Sequence, residues 1–342
     1  MLGAYDLSTY SRGRVICTGL RKQGVDVEVF LPRGVCRYVR TAHRLLQRNY
    51  NIILATGKGA LLLSWLLRPI HGRRVIFDVF ISDYENLVVD RRLLGERSLR
   101  ARFRKWLDRF SCEVADFNIL DTAEHIRYFC DEFGLAEEKF GRIWVGIDED
   151  VFHPSSLERE EFLVSFHGTF IPLQGVDTII RAAKILEPEG VRFRIIGTGQ
   201  TYPAVRRLVD ELAPRNVELL GRNVSLAELA AACHEASVCL GIFGNTAKAM
   251  RVIPNKVFES LAARRPLVTM DSPAIRELLR DGEDCLLCSP GDPQDLAEKI
   301  TTLRDAPGLR AQLAEAGYRK VLNECSTAVI GERVKTLLQG FL

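Results

Sequence analysis

The sequence predicts an α/β protein with two domains, each built on a doubly wound parallel sheet. The chain has 342 residues, 47% hydrophobic and 27% charged, a composition typical of soluble globular proteins and a length that suggests about two domains. Short β-branched segments alternate with helical segments in both halves, as in a parallel sheet covered by helices on both faces. An acidic, Pro-containing stretch at residues 145–160 separates the halves. We therefore expect two Rossmann-like domains that face each other across a cleft.

The second half shows the alternation most clearly. Its predicted strands are FLVSFHG, VRFRIIG, NVELLG, SVCLGIF, PLVTM and CLLC. Helical stretches follow these strands, including one from about Pro254 to Ala263 and a short one from Ala274 to Leu279. The first half opens with a predicted helix from Ser11 to about Gln23. Its predicted strands are DVEVFL, NIILA, RRVIFD, FNIL and RIWV.

This order of elements predicts the domain boundaries. We expect an N-terminal domain over residues 1–150, a C-terminal domain over 151–327, and a last helix over 328–342 that packs back on the N-terminal domain. The start of the sequence is unusual. A doubly wound domain usually opens with a buried strand of about five residues, whereas here only Met1 to Tyr5 precede a polar turn. Either the true start codon lies upstream or this edge of the sheet is abbreviated.

The net charge of +3 conceals an asymmetry between the two halves. Residues 1–110 carry 21 Lys and Arg against 9 Asp and Glu, a net charge of +12, whereas the remainder carries −9. Such a basic half suits an anionic membrane surface or a phosphorylated acceptor, and the absence of an aromatic-interleaved RNA motif argues against nucleic acid. No apolar segment approaches the ~20 residues that span a bilayer, and no signal peptide is evident. We expect a cytoplasmic protein, at most peripheral on the inner face of the membrane.

Metal and disulfide chemistry find little support in the sequence. The nine cysteines are scattered, and the single CxxC, Cys285 with Cys288, has no second pair of zinc ligands. His125 stands alone on a predicted helix and is interpreted as structural. The segment TGKGA lacks the spacing of a phosphate-binding P-loop.

The segment between SVCLGIF and PLVTM carries the strongest chemical signal. Lys248, Arg251 and Lys256 fall within nine residues, just before and at the start of a helix that Pro254 opens. Cations gathered at a helix N-terminus are typical of a diphosphate site. Glu259 lies on the same helix face as Lys256, three residues on, where a carboxylate can accept hydrogen bonds from vicinal hydroxyls such as those of a ribose.

Two turns after predicted strands also invite a ligand, because ligands of open α/β sheets collect at the carboxyl ends of the strands. Gly168 ends the first strand of the C-terminal domain and precedes Thr169. In IIGTGQ, Gly197 and Gly199 flank Thr198, and their backbone amides either hold an anion or simply form a tight strand-to-helix turn. The motif lacks the third glycine of GxGxxG, so a dinucleotide site is not established.

Three motifs of the second half resemble, in family order, those of retaining GT-B-fold glycosyltransferases of family 4. GTFIPLQGVDTIIRAA resembles the first strand, loop and helix of that family's C-terminal domain, and IIGTGQ resembles its next Gly-rich turn. FESLAARRPLVT matches the second half of the Glu-x7-Glu signature and the strand that follows it. The similarity covers about Phe162 to Leu322 well and the first half loosely. It implies a nucleotide-sugar site in the C-terminal domain and an acceptor site in the N-terminal domain.

Carried over by position, the resemblance assigns Glu259 to the ribose and the Gly168–Thr169 turn to the diphosphate. Arg251 stands where the family has the first Glu of the signature, and Thr169 and Gln174 replace two phosphate-binding cations of the family loop. We expect Lys248 and Arg251 to supply the missing positive charge. The candidate catalytic residues are thus Arg251, Lys256 and Glu259. The candidate donor-binding residues are Lys248, Asn255, Gly168, Thr169, Gly197 and Gly199.

The acceptor candidates lie in the first half. Asp78 ends a predicted strand where related enzymes often place a His, and Asp83 follows in an acidic loop with Tyr84, Glu85 and Asn86. The N-terminal loop AYDLSTYSRGR faces the cleft in this fold. Its candidates are Gly3, Asp6, Tyr10, Arg12 and Arg14.

The sequence therefore predicts a glycosyltransferase that moves a sugar, with retention, from a nucleotide-diphosphate donor to a lipid-linked or glycan acceptor in cell-surface polysaccharide or glycolipid synthesis. Neither a metal nor another cofactor is expected, because Lys and Arg can stabilise the departing diphosphate. Two alternatives stay open. One is a catalytically inactive protein of the same fold that binds a nucleotide sugar or acts as a scaffold, and the other is a sugar-nucleotide epimerase.

Overall fold

A computed structural model describes residues 11–32, 34, 36–155 and 161–342 of the chain. The chain divides into two compact units, one formed by Met1–Gly146 with Ser326–Leu342 and the other by Ile147–Cys325. Each unit has its own parallel sheet. The predicted opening strand and the candidates Gly3, Asp6 and Tyr10 lie outside the described residues.

The first unit contains a four-stranded parallel sheet in the order β1-β2-β3-β4. Its strands are β1 (Ile52–Ala55), β2 (Arg74–Asp78), β3 (Phe117–Leu120) and β4 (Phe140–Arg142). Its helices up to this point are α1 (Ser11–Lys22), α2 (Arg37–Gln47), α3 (Lys58–Leu66), α4 (Arg68–His71), α5 (Leu99–Val114) and α6 (Ala123–Phe133), with a π-helix at Glu85–Asp90. The segment DVEVFL, predicted as a strand, forms none among the described residues, and only Phe30 there makes a β-bridge. None of its side chains is buried, so its alternation does not mark a core face.

The second unit contains a six-stranded parallel sheet in the order β10-β9-β8-β5-β6-β7. Its strands are β5 (Leu163–His167), β6 (Arg192–Ile196), β7 (Val217–Leu220), β8 (Val238–Leu240), β9 (Leu267–Met270) and β10 (Leu286–Cys288). Its helices are α7 (Val176–Ile185), α8 (Tyr202–Leu212), α9 (Leu226–Glu235), α10 (Asn255–Ala262), α11 (Pro273–Arg276), α12 (Pro293–Asp305) and α13 (Pro307–Cys325). The strand order reverses between β5 and β8, which makes their carboxyl ends the topological switch point where such sheets bind ligands. The predicted α/β class with two parallel sheets is confirmed.

The last helix, α14 (Thr327–Gln339), packs in the first unit against α1. The helices approach closely at Gly19 and Gly331, where a Cβ on Gly331 would lie 2.2 Å from the carbonyl carbon of Gly19. Lys22 Nζ donates to Thr327 Oγ1 at 2.6 Å across the same contact. The chain therefore returns to its first unit after completing the second.

The described helices and the cysteines bear on membrane spanning and on disulfide bonding. Within the described ranges, no helix combines the length and the apolar character needed to cross a bilayer. All nine cysteines are free thiols, and Cys285 and Cys288 are buried at β10, where burial raises the pKa of both thiols.

Candidate functional site

The candidate site lies at the switch point of the second unit, where two loops follow β5 and β8. Backbone bonds join the loops, with Phe243 N donating to Gln174 O at 3.1 Å and Gly244 N to Leu173 O at 3.2 Å. Gly175 has φ +61°, and a Cβ there would lie 2.4 Å from both Phe243 C and Gly244 N. Glycine is therefore required at this position, and the two loops form one continuous surface in front of α10.

Lys256 occupies the first turn of α10 and is buried, with only 4% of its surface exposed. Its Nζ donates to Gln174 Oε1 and lies 3.9 Å from the centroid of the Phe166 ring. A Cβ on Gly168, whose φ is +154°, would lie 2.5 Å from this ammonium. Burial lowers the pKa of Lys256 to about 7, and the Glu259 carboxylate only partly opposes that effect. An anionic ligand would stabilise a buried cation of this kind, because the ligand supplies negative charge that the surrounding protein provides only in part.

Glu259 follows Lys256 by one helical turn and is held by His167, the last residue of β5. His167 Nε2 lies 2.8 Å from Glu259 Oε2, and both side chains are largely buried. The other carboxylate oxygen makes no hydrogen bond in the part of the chain that the structure describes. One oxygen is thus held in place while the other stays available to accept from a hydroxyl.

Lys248 and Arg251 lie in the turn that precedes α10. Arg251 N donates to Lys248 O at 3.0 Å, Lys248 is 6% exposed and Arg251 is half-buried. The helix itself begins after Pro254 with no side-chain cap and no acidic residue in its first turn, where Asn255 is half-buried. The amides of such a helix start favour an anion, as the sequence predicts.

The Gly-rich turn has a packing explanation. Gly197 N donates to Leu220 O at 2.9 Å, and Gly168 N donates to Ile196 O at 3.0 Å. A Cβ on Gly197 would lie 1.9 Å from Gly168 O, and one on Gly199 would lie 2.6 Å from Phe170 O. Of the two alternatives for this turn, the tight turn describes Gly197, because its amide is already bonded, and anion binding at Gly199 stays a prediction. The two glycines allow the loops after β5 and β6 to touch, and Thr169 next to them is exposed.

Arg12 and Asp78, predicted to contact an acceptor or a phosphate, are buried in the first unit. Arg12 Nε lies 2.8 Å from Asp78 Oδ1, and Arg12 Nη1 donates to Ile143 O at 2.7 Å. Their exposed fractions are 0% and 1%, so the structure shows a buried ion pair instead of a ligand surface. The acceptor prediction for these two residues is corrected accordingly.

Asp83 keeps a partly exposed side chain but also has partners. Its Oδ2 lies 2.7 Å from Lys58 Nζ and 3.5 Å from Arg104 Nη1. Lys58 also pairs with the buried Asp108, so the lysine of TGKGA anchors this loop to α5. The acceptor role of Asp83 stays a prediction.

His125 lies in a buried acidic cluster that the sequence analysis missed. Its Nδ1 is 2.8 Å from Asp121 Oδ1, and its Nε2 is 3.3 Å from Glu85 Oε2. Despite burial, the two carboxylates raise the pKa of His125 to about 9. The cation links the π-helix after β2 to the start of α6 after β3.

His167 and Gln174 are the site contacts that the sequence analysis did not assign. His167 is the penultimate residue of the predicted strand and the last residue of β5, so its position at a carboxyl end was a usable signal. Gln174 was noted only as the replacement of a family cation, because an amide in a loop has no pattern that predicts a contact with Lys256. Among the described residues, no group of three or more His, Cys, Asp or Glu side chains is placed to hold a metal ion.

Parts of the chain are similar to known proteins. Residues 161–305 match the family model for Glycosyl transferases group 1. An uncharacterized glycosyltransferase of Methanocaldococcus jannaschii is 30% identical over 175 residues, 51% of this chain and 46% of that protein. D-inositol 3-phosphate glycosyltransferase of Thermomonospora curvata is 26% identical over 233 residues, 60% of this chain and 52% of that protein. The chain spans about half the length of these curated relatives.

A solved structure covers the fold more completely. Anabaena HepE, crystallised with UDP and glucose, aligns over 99% of both chains with a TM-score of 0.76 at 16% identity. The two parallel sheets and this alignment define a protein of the GT-B fold class. Within the second unit, residues 161–305 are similar to the family Glycosyl transferases group 1.

Proposed function

We propose that this protein is a retaining glycosyltransferase of family 4 that transfers a sugar from a nucleoside-diphosphate donor. The observation that carries the proposal is the pair Lys256 and Glu259 on one face of α10 at the switch point of the sheet. The buried ammonium suits a diphosphate, and the carboxylate held by His167 suits ribose hydroxyls. Both curated relatives are named as glycosyltransferases, and HepE was crystallised with UDP and glucose and with UDP-glucose.

The chemistry follows from where charge develops. As the bond between the sugar and the diphosphate breaks, negative charge grows on the leaving oxygen. Lys248, Arg251 and Lys256, together with the start of α10, would stabilise that charge mainly in the transition state. The acceptor hydroxyl bonds to the sugar carbon on the same face, and its proton passes to the departing diphosphate. This scheme uses no metal and no further cofactor.

The structure supports a rearranged set of phosphate contacts. Gln174, which replaces a cation of the family loop, accepts a hydrogen bond from Lys256. The positive charge next to this loop is therefore that of a lysine on α10. We infer that Lys248 and Arg251 supply the rest of the positive charge. Lys248→Ala and Arg251→Ala should each weaken diphosphate binding about tenfold, whereas the exposed Arg206→Ala on α8 should leave it unchanged. Normal affinity in both site variants would contradict this assignment.

For the acceptor, we propose a lipid-linked or glycan molecule in cell-surface polysaccharide or glycolipid synthesis. The net charge of +12 over residues 1–110 would hold the first unit near anionic lipid, where a lipid-linked acceptor resides. We also propose that the protein works on the cytoplasmic side as a peripheral protein.

A thermal-shift panel of UDP, GDP, TDP, CMP and ADP tests the donor site. One diphosphate should stabilise the wild type by about 2.7 kcal/mol at a hundredfold excess over its dissociation constant. Glu259→Ala should lose that shift, whereas Glu211→Ala, an exposed change on α8, should keep it. No shift with any nucleotide would reject the donor site and favour an inactive scaffold.

Product analysis then separates the enzyme from its alternatives. With the nucleotide sugar that binds, a glycosyltransferase transfers the sugar only when an acceptor is present. Release of the diphosphate with an altered free sugar and no acceptor would indicate the epimerase. Donor binding without turnover over a panel of glycan and polyprenyl acceptors would indicate the inactive protein.

A further inference from the structure

Four aromatic rings, three of them exposed, form a connected cluster on the first unit. Phe103, Trp106 and Phe110 share one face of α5, and Trp65 of α3 adds the fourth ring. Centroid distances are 5.7 Å for Phe103 to Trp106, 5.2 Å for Trp106 to Phe110 and 5.5 Å for Trp65 to Phe110. Phe103 and Trp106 are more than half exposed. A group of rings in contact with water loses the free energy that burial would supply.

Leucines extend this apolar surface. Leu99, one turn before Phe103 on the same face of α5, is 80% exposed. Leu93 is also exposed, and together with Leu87, Leu94 and Phe103 it lines an open depression of about 510 Å³. We call Leu99, Phe103, Trp106, Phe110 and Trp65 the aromatic face.

Arginines are interspersed in sequence with the residues of the aromatic face. Residues 91–110 contain eight Lys or Arg and two Asp or Glu, and three of these cations, Arg104, Lys105 and Arg109, pair with acidic residues outside this segment. One of the two acids, Asp108, is buried and paired with Lys58. Arg97, Arg100 and Arg102 make no ion pair within the described residues. The face therefore combines rings, leucines and uncompensated positive charge, the composition of helices that lie in a membrane interface.

We propose that the aromatic face inserts into the interface of an anionic lipid bilayer. A second copy of the chain is a poorer occupant, because a two-fold contact would bring two faces of the same charge together. Anionic lipid supplies the opposite charge, and aromatic rings settle at the level of the headgroups. This inference deepens the proposed membrane association and names the surface responsible, while resting on the proposed function only for the acceptor's location.

Tryptophan fluorescence reports directly on this face. The chain has three tryptophans, of which Trp65 and Trp106 belong to the face and Trp144 is buried. Adding phosphatidylcholine vesicles that contain phosphatidylserine should shift the emission to the blue, and brominated lipid should quench it. Trp65→Phe with Trp106→Phe should abolish both signals while vesicle sedimentation persists.

Sedimentation with the same vesicles tests the residues themselves. Phe103→Ser with Trp106→Ser should weaken binding at least tenfold, and Val39→Ser, an exposed change on α2, should not. Arg100→Glu with Arg102→Glu should weaken it by more than tenfold, because each surface arginine contributes about fivefold. Arg206→Glu with Arg207→Glu on α8 has the same charge change and should have little effect. Binding of the wild type should also weaken with salt.

Three results would overturn the proposal. The first is vesicle binding that the variants of the aromatic face do not alter. The second is equal binding of the wild type to vesicles without anionic lipid. The third is that the wild type does not bind vesicles but forms a dimer or partner complex that Phe103→Ser disrupts. The nucleotide shift is measured on the same variants and should be unchanged. If no nucleotide shifts the melting temperature of the wild type but the wild type still binds vesicles, the donor site is rejected and the proposal for the aromatic face is retained.

Discussion

His167 Nε2 lies 2.8 Å from Oε2 of Glu259, and this contact joins the end of β5 to α10 across 92 residues of sequence. It leaves the second carboxylate oxygen open at the switch point. We expect His167→Ala to weaken nucleoside-diphosphate binding about tenfold, because the carboxylate loses the hydrogen bond that orients it. Calorimetric titration measures the effect.

Two matched variants make this prediction specific. His167→Gln retains a donor and should recover most of the affinity. His43→Ala, on the exposed side of α2 in the other unit, should behave as wild type. Equal affinity of His167→Ala and wild type for the diphosphate would show that the Glu259 carboxylate does not need the hydrogen bond from His167.

The buried Lys256 predicts a pH dependence of diphosphate binding. Its pKa of about 7 in the free protein should rise when an anion binds, so binding takes up a proton above pH 7. Affinity should then fall as the pH rises from 7 to 9, by up to tenfold per unit. Titration in two buffers of different ionisation enthalpy measures the proton uptake. Lys256→Met should bind weakly with no such dependence, and a wild type without proton uptake at pH 8 would contradict the prediction.

The His125 cluster predicts a pH dependence of stability. The raised pKa of about 9 means that the histidine cation stabilises the fold fully below about pH 6.5, and this contribution is lost as the pH rises through 9. In urea unfolding, His125→Gln should be less stable than wild type by a few kcal/mol at pH 6. The difference should shrink toward pH 9.5. A difference that stays constant with pH would indicate a neutral His125.

The close approach of α14 and α1 predicts sensitivity to a single methyl group. Gly331→Ala would place a Cβ 2.2 Å from Gly19 C and should lower the free energy of unfolding by about 1–3 kcal/mol. Gly340→Ala, just after the same helix, meets only Leu337 O at 3.4 Å and should change it by less than about 0.5 kcal/mol. Thermal or urea unfolding compares the two, and equal stability would show that the helices can separate without loss.

Local patterns in the sequence predicted the elements that carry the site. The alternation around FLVSFHG and NKVFESLA places β5 and α10 correctly, because hydrophobic period reflects which face an element buries. The cluster of Lys248, Arg251 and Lys256 marked the start of α10, because cations gathered at a helix N-terminus are typical of a diphosphate site. DVEVFL shows the limit, because its alternation has no buried face in the structure.

The contacts between distant segments needed the tertiary structure. The sequence by itself determined an α/β chain with two parallel sheets, a cationic loop before α10 and a carboxylate one turn along that helix. Only the packed structure showed that Gln174 meets Lys256, that His167 holds Glu259, and that Arg12 and Asp78 neutralise each other. The reason is physical: secondary structure follows from neighbouring residues, whereas the partner and burial of a charged side chain depend on which segments the sheet brings together.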